Sequence, residues 1–130
     1  MPRNRQSVAE FINTHLKTKG YLPMLHTVEH ELGIDSSSCR KEANEAREKG
    51  KLRLERNLPL DPEGLTLDEI ALLTYAQWHQ STRKNRPNAS NMYGEFTKGG
   101  KQPPIGRVLK SLRRKLGNDE FHRWFIARGG

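Results

Sequence analysis

The chain has 130 residues, 33% of them hydrophobic and 29% charged, with a formal net charge of +8. That length suits one ordinary domain or two very small ones with a thin core, and the charge favours a polyanionic partner. A single cysteine excludes an intrachain disulfide, and no apolar run has the length of a membrane span or signal core, so a cytoplasmic protein with no membrane partner is expected.

In chain order, Ser7-x-x-Glu10 reads as a capping box that opens a helix. Val8, Phe11, Ile12, His15 and Leu16 then follow a helical stripe until Gly20. Pro23 suits the start of a second, short helix marked by Leu25, Val28 and Leu32 and stopped by Gly33. Asp35 or Ser36 can cap a third helix, whose apolar residues are Cys39, Ala43 and Ala46 and which Gly50 ends. Small inward residues let such a helix sit close to the first two. "KLRLER", residues 51–56, alternates apolar and charged and predicts a short strand.

"NLPLDPEG", residues 57–64, has two prolines, one glycine and no helical period, and is read as a linker. A second capping box, Thr66-x-x-Glu69, follows, with Ile70, Leu72, Leu73 and Ala76 as the buried face of the next helix. "RKNRPNASN" reads as a polar loop, and Met92, Tyr93 and Phe96 predict a short helix after it. "GGKQPP" breaks the chain again. Ile105, Leu109, Leu112 and Leu116 then lie at i, i+4, i+7 and i+11 of a helix ended by Gly117. "FHRWFIARGG", the last segment, predicts a strand.

Helices, a tight turn, and a basic strand are the order of a winged helix-turn-helix. "GYLPMLHTVEHELGIDSSSCRKEANEAREKGKLRL" resembles the DNA-binding domain of LexA-type repressors, through Gly20, Tyr21, Pro23, Leu32, Gly33, Ile34, Ser36, Ser37, Lys49 and Gly50. Met24 stands where that family has a capping serine, and Thr27 where it has a glutamate. The second half resembles the effector domain of OmpR/PhoB-type response regulators. Its "LTLDEIALL" matches that family's first helix, "LRRKL" at 112–116 the end of its recognition helix, and Ala127-Arg128-Gly129 its closing strand. The two resemblances imply a mainly α fold with small β wings: two tandem winged helix-turn-helix domains, residues 1–56 and 65–130, joined by 57–64.

Helical geometry then selects a DNA face on each third helix. With the small residues inward, Ser37, Lys41, Asn44 and Glu48 point outward on the first, with Arg40 and Glu45 on the flanks. Ser37, Ser38, Arg40, Lys41 and Asn44 are the expected DNA contacts, where asparagine suits adenine and arginine suits guanine. Glu42, Glu45 and Glu48 on the same helix oppose a deep phosphate contact. Lys51 and Arg53 are the bases of the expected wing. On the other recognition helix Arg107, Lys110 and Arg114 form the outward stripe, with Ser111 and Arg113 beside it. Residues 82–130 hold 12 bases and 3 acids, and no acid interrupts 98–117.

His26 and His30 lie four apart on one helix, with His15 and Cys39 as further candidates for zinc, but no Cys-x-x-Cys supports a closed site. There is no Gly-rich phosphate loop, nucleophile elbow or paired carboxylate in an apolar setting. A non-enzyme without cofactor is expected: a sequence-specific double-stranded DNA-binding protein, a small transcription regulator. A plasmid or phage replication or partition protein, a winged-helix adaptor for other proteins such as transcription or replication factors, and an RNA or single-strand binder stay open beside it.

Overall fold

The computed structural model describes residues 6–53, 64–97 and 100–126. The protein is mainly helical, with α1 (Val8–Lys19), α2 (Leu25–Leu32), α3 (Ser36–Glu48), α4 (Leu67–Arg83), α5 (Ala89–Phe96), α6 (Ile105–Leu116) and α7 (Asn118–Trp124).

Local chemistry sets the starts of α1, α4 and α5. Ser7 and Glu10 exchange side-chain and backbone hydrogen bonds at 3.1 and 3.3 Å at the start of α1. Thr66 and Glu69 do the same for α4 at 3.1 and 2.8 Å, and Asn88 and Asn91 for α5, both at 2.9 Å. Each pair satisfies two backbone N–H groups that the helix itself leaves without partners. Helix α1 ends at Gly20, whose φ of 92° is the left-handed conformation that only glycine adopts without strain.

Helices α1, α2 and α3 pack together. Cys39, Ala43 and Ala46 form the buried face of α3, as the sequence pattern predicts. Helix α4 is buried almost all round, from Leu67 to His79, because the segment from Gly20 to Leu25 lies against one side and α6 and α7 against the other. Tyr21, just after α1, joins the two groups. Its ring lies 5.0 Å from Tyr75, 5.2 Å from Trp78 and 6.0 Å from Phe96, centroid to centroid. Its hydroxyl donates to the Glu95 carboxylate. Burial, then this contact with Glu95, pushes the Tyr21 phenol well above its ordinary range. The buried apolar side chains of both groups therefore form one continuous core.

The expected strands differ from what is seen. Lys51, Leu52 and Arg53 are in no strand. The Asn13 amide of α1 takes their backbone instead: its nitrogen donates to the Lys51 carbonyl and its oxygen accepts the Arg53 N–H, both at 2.9 Å. The rest of "KLRLER", residues 54–56, lies outside the described residues, as does the linker up to residue 63.

The closing strand is corrected to a helix over most of its described length. Phe121 to Trp124 belong to α7, not to a wing. Asp119 and Glu120 suit the positive end of that helix. At its other end the Arg123 carbonyl accepts from Gln80 at 2.7 Å and the His122 carbonyl accepts from Arg86. Phe121, Trp124 and Phe125 are spaced for a helix face, and Phe121 and Phe125 are buried, their rings 5.1 Å apart. What remains extended is Phe125 and Ile126, and Ile126 donates to the Pro87 carbonyl at 2.9 Å and makes an isolated parallel bridge with Asn88. Ala127, Arg128 and Gly129 lie outside the described residues.

Candidate nucleic-acid interface

Helix α6 is divided sharply. Ile105, Val108 and Leu112 are buried, Leu109 and Leu116 half-buried, and Arg107, Lys110 and Arg114 exposed. The three exposed cations lie at i, i+3 and i+7, a single helical face. Among the described residues no carboxylate pairs with any of them.

The other polar residues of α6 turn elsewhere. Ser111 is half-buried and donates to the Glu69 carboxylate of α4, so it lies away from the exposed stripe. Lys115 reaches the same carboxylate at 2.7 Å and the Gly64 carbonyl at 3.0 Å. Glu69 is only 2% exposed. Burial alone would raise its carboxyl, but the Lys115 ammonium, the Ser111 hydroxyl and the Thr66 N–H outweigh it and hold it below the ordinary carboxylate range. Arg113 is half-buried too. Its Nε donates to Asn118 Oδ1 at 2.8 Å, and its guanidinium lies 5.8 Å from the Phe121 ring centroid.

On α3, Ser37, Ser38, Arg40, Lys41 and Asn44 are all exposed. Ser38 faces Asp35, whose carboxyl its hydroxyl holds below the usual range. Of the three acids, Glu42 is turned to the scaffold, where it accepts the Val8 N–H of α1 at 3.1 Å. Glu45 and Glu48 stay on the exposed side. The outer surface of α3 therefore mixes both signs, whereas that of α6 is purely cationic. Lys51 and Arg53 are exposed beside α1.

A groove of about 1150 Å³ runs along one flank of α6, between the first turn of α5 and the α6–α7 corner. Lys110, Arg113 and Arg114 lie on its wall, and Leu109, Phe121 and Ile126 supply its apolar surface. Helical periodicity locates the cations of this wall. The opposite wall comes from a distant segment, and no sequence signal placed it there.

Two of the histidines weighed as zinc candidates, His26 and His15, have carbonyl partners. A ring nitrogen of His26 lies 3.0 Å from the Lys101 carbonyl, and one of His15 lies 2.9 Å from the Tyr21 carbonyl. Among the described residues no group of three or more His, Cys, Asp or Glu side chains is arranged to hold a metal ion. None of their helices is long and apolar enough to cross a membrane.

No protein-family model, curated protein or solved structure matches the chain. The likeness to the repressor and response-regulator families thus rests on the quoted motifs alone.

Proposed function

We propose that this protein is a cytoplasmic, sequence-specific binder of double-stranded DNA that acts as a small transcription regulator. In this reading α6 is the principal recognition helix and α3 the second, in a tandem helix-turn-helix arrangement. The observation that carries it is the face of α6, where Arg107, Lys110 and Arg114 are exposed together with no described carboxylate to neutralise them. Displacing counterions from DNA phosphates supplies affinity to such a face. Ser37, Lys41 and Asn44 on the outer side of α3 add hydrogen-bonding groups suited to base edges. Two helices on one chain give the second contact the advantage of an intramolecular event.

The test is duplex binding by fluorescence anisotropy at several salt concentrations, on duplexes selected from a random pool. Each of Arg107→Ala, Lys110→Ala and Arg114→Ala is expected to weaken binding and to lower the slope of log affinity against log salt by about one. Unchanged affinity and slope in the triple variant would overturn the reading.

A further inference from the structure

The groove beside α6 has a composition that DNA backbone contacts do not call for. At about 1150 Å³ it is larger than the roughly 300–1,000 Å³ of ordinary small-molecule pockets. Its size suits a stretch of chain. Its rim is cationic, through Lys110 and Arg114. Its floor holds the half-buried Leu109 and Ile126, the latter 38% exposed and the one large hydrophobic side chain exposed among the described residues.

The floor separates two kinds of anionic chain. A single nucleic-acid strand draws affinity from aromatic faces on which bases stack. The aromatic ring of this groove, Phe121, is 1% exposed, stacked on Phe125 and covered by the Arg113 guanidinium. Beside the polar Asn88, Ser90 and Asn118, the large apolar side chains left open to the groove are the aliphatic Leu109 and Ile126, and aliphatic surface is best covered by aliphatic side chains. Cations flanking such a floor pair with carboxylates.

We propose that this groove docks a peptide segment of a partner protein, one in which aspartate or glutamate flanks leucine, isoleucine or valine. The aliphatic side chains seat on Leu109 and Ile126, and the carboxylates meet Lys110 and Arg114. Those two cations also belong to the stripe assigned to DNA, so peptide and duplex exclude one another. Arg107 lies outside the groove and belongs to the DNA face alone. Peptide docking itself does not depend on the DNA reading.

Gly106 provides a way to fill the groove without changing charge. A Cβ there meets only the Tyr93 hydroxyl, at 3.9 Å, so the fold accommodates a side chain. The full chain is used to select from displayed random dodecapeptides, and the selected peptides are titrated by anisotropy in the absence of DNA. Enriched peptides are expected to combine acidic and aliphatic residues. Their affinity should fall at least about tenfold in Gly106→Met and in the Lys110→Ala, Arg114→Ala double variant, and stay unchanged in Arg107→Ala. Ile126→Glu, at an exposed position, repeats the test should Gly106→Met fail to fold. Enrichment of peptides without acids, no enrichment, or equal binding to Gly106→Met and wild type overturns the proposal. So does sedimentation showing that the groove instead joins two copies of the chain, with self-association lost in Gly106→Met. Weakened duplex binding in Arg107→Ala with peptide binding intact separates this site from the DNA face.

Discussion

The Asp68 carboxylate, in the first turn of α4, accepts the backbone N–H of Leu25 at 2.9 Å, and so caps α2 from a distant part of the chain. Met24, the N-cap residue of α2, offers no side-chain acceptor of its own. Two residues before it, the Leu22 N–H donates to Thr74 Oγ1 at 3.0 Å. The segment between α1 and α2 is thus tied to α4 by hydrogen bonds as well as by the Tyr21 ring.

Asp68 gives the first prediction. Burial pushes its carboxyl above the ordinary 3.8, and the Leu25 N–H and the Arg40 charge only partly offset this. A raised carboxyl makes its titration contribution to stability at pH below the unfolded value, and loses it as pH rises through the folded one. Asp68→Asn keeps an acceptor for Leu25 and removes the buried charge. It should match or exceed wild-type stability at neutral pH, with the advantage shrinking in acid. Asp68→Ala leaves α2 uncapped and should cost about 1 kcal/mol. Urea unfolding at neutral and acid pH checks both; equal damage from Asn and Ala would sink the capping role.

Glu69, the next residue, titrates with the opposite sign. Its carboxyl is held below the ordinary 4.5 by Lys115, Ser111 and Thr66 despite its burial. Stability from this site is therefore present above the unfolded value and lost as pH falls through the depressed folded one. Lys115→Met removes the ammonium and leaves a buried carboxylate with hydroxyl and amide partners only. Breaking a fully buried pair costs roughly 3–5 kcal/mol, and since the Lys115 side chain is 36% exposed the expected loss is about 2 kcal/mol at neutral pH. The penalty should narrow in acid, where Glu69 is protonated. The salt slope for duplex binding should be unchanged, because Lys115 is already neutralised within the protein. A slope reduced as much as in Arg114→Ala would show that Lys115 faces DNA after all.

The reach of the sequence follows from these two carboxylates. Thr66-x-x-Glu69 announces a capping box because both partners lie within one turn, and the box forms. That Glu69 also holds Lys115 and Ser111, some forty residues onward, has no local signature. Nor does the trans cap on α2. The faces of α3 and α6 were legible because buried and exposed positions repeat with the helical period. Ser111 and Arg113 show where that argument stops, since a position on the flank of a stripe is decided by the neighbouring helix. The C-terminal segment reads as a strand in the sequence, yet Phe121 to Trp124 lie in α7. The i, i+3, i+4 spacing of Phe121, Trp124 and Phe125, with two acids ahead of it, was the stronger signal.

Gly20 gives the third prediction. Its φ is +92°, and a Cβ built there would lie 2.8 Å from Cδ1 of Trp78 on α4. Alanine at this site incurs roughly 1–2 kcal/mol for the left-handed backbone and about 1–3 kcal/mol more for displacing a large packed ring. Gly20→Ala should therefore be destabilised by about 2–5 kcal/mol, with altered tryptophan emission in the folded state because Trp78 must move. Gly33 has the same left-handed φ sign with nothing within 4 Å. Gly33→Ala should show only the backbone cost and native emission. Equal losses at the two glycines would mean that the Trp78 contact contributes nothing.

The close seating of α3 can be probed at Cys39. Its thiol is 0% exposed and donates to the Leu25 carbonyl at 3.7 Å. Burial, with smaller contributions from the carboxylates of Glu29, Asp68 and Glu42, pushes it up to about 12. The thiolate is the reactive form, so a thiol reagent should leave the native protein unmodified at mildly alkaline pH and react fully in denaturant. Because Cys39 sits where α3 meets α2, a larger side chain must push the helices apart. Cys39→Leu is expected to cost roughly 1–3 kcal/mol by overpacking, whereas Cys39→Ala, which keeps the small volume, should cost less. The displaced α3 of Cys39→Leu should also change duplex affinity, since Ser37, Lys41 and Asn44 ride on its outer face. Full native stability in Cys39→Leu would show that small residues are not what sets the position of this helix.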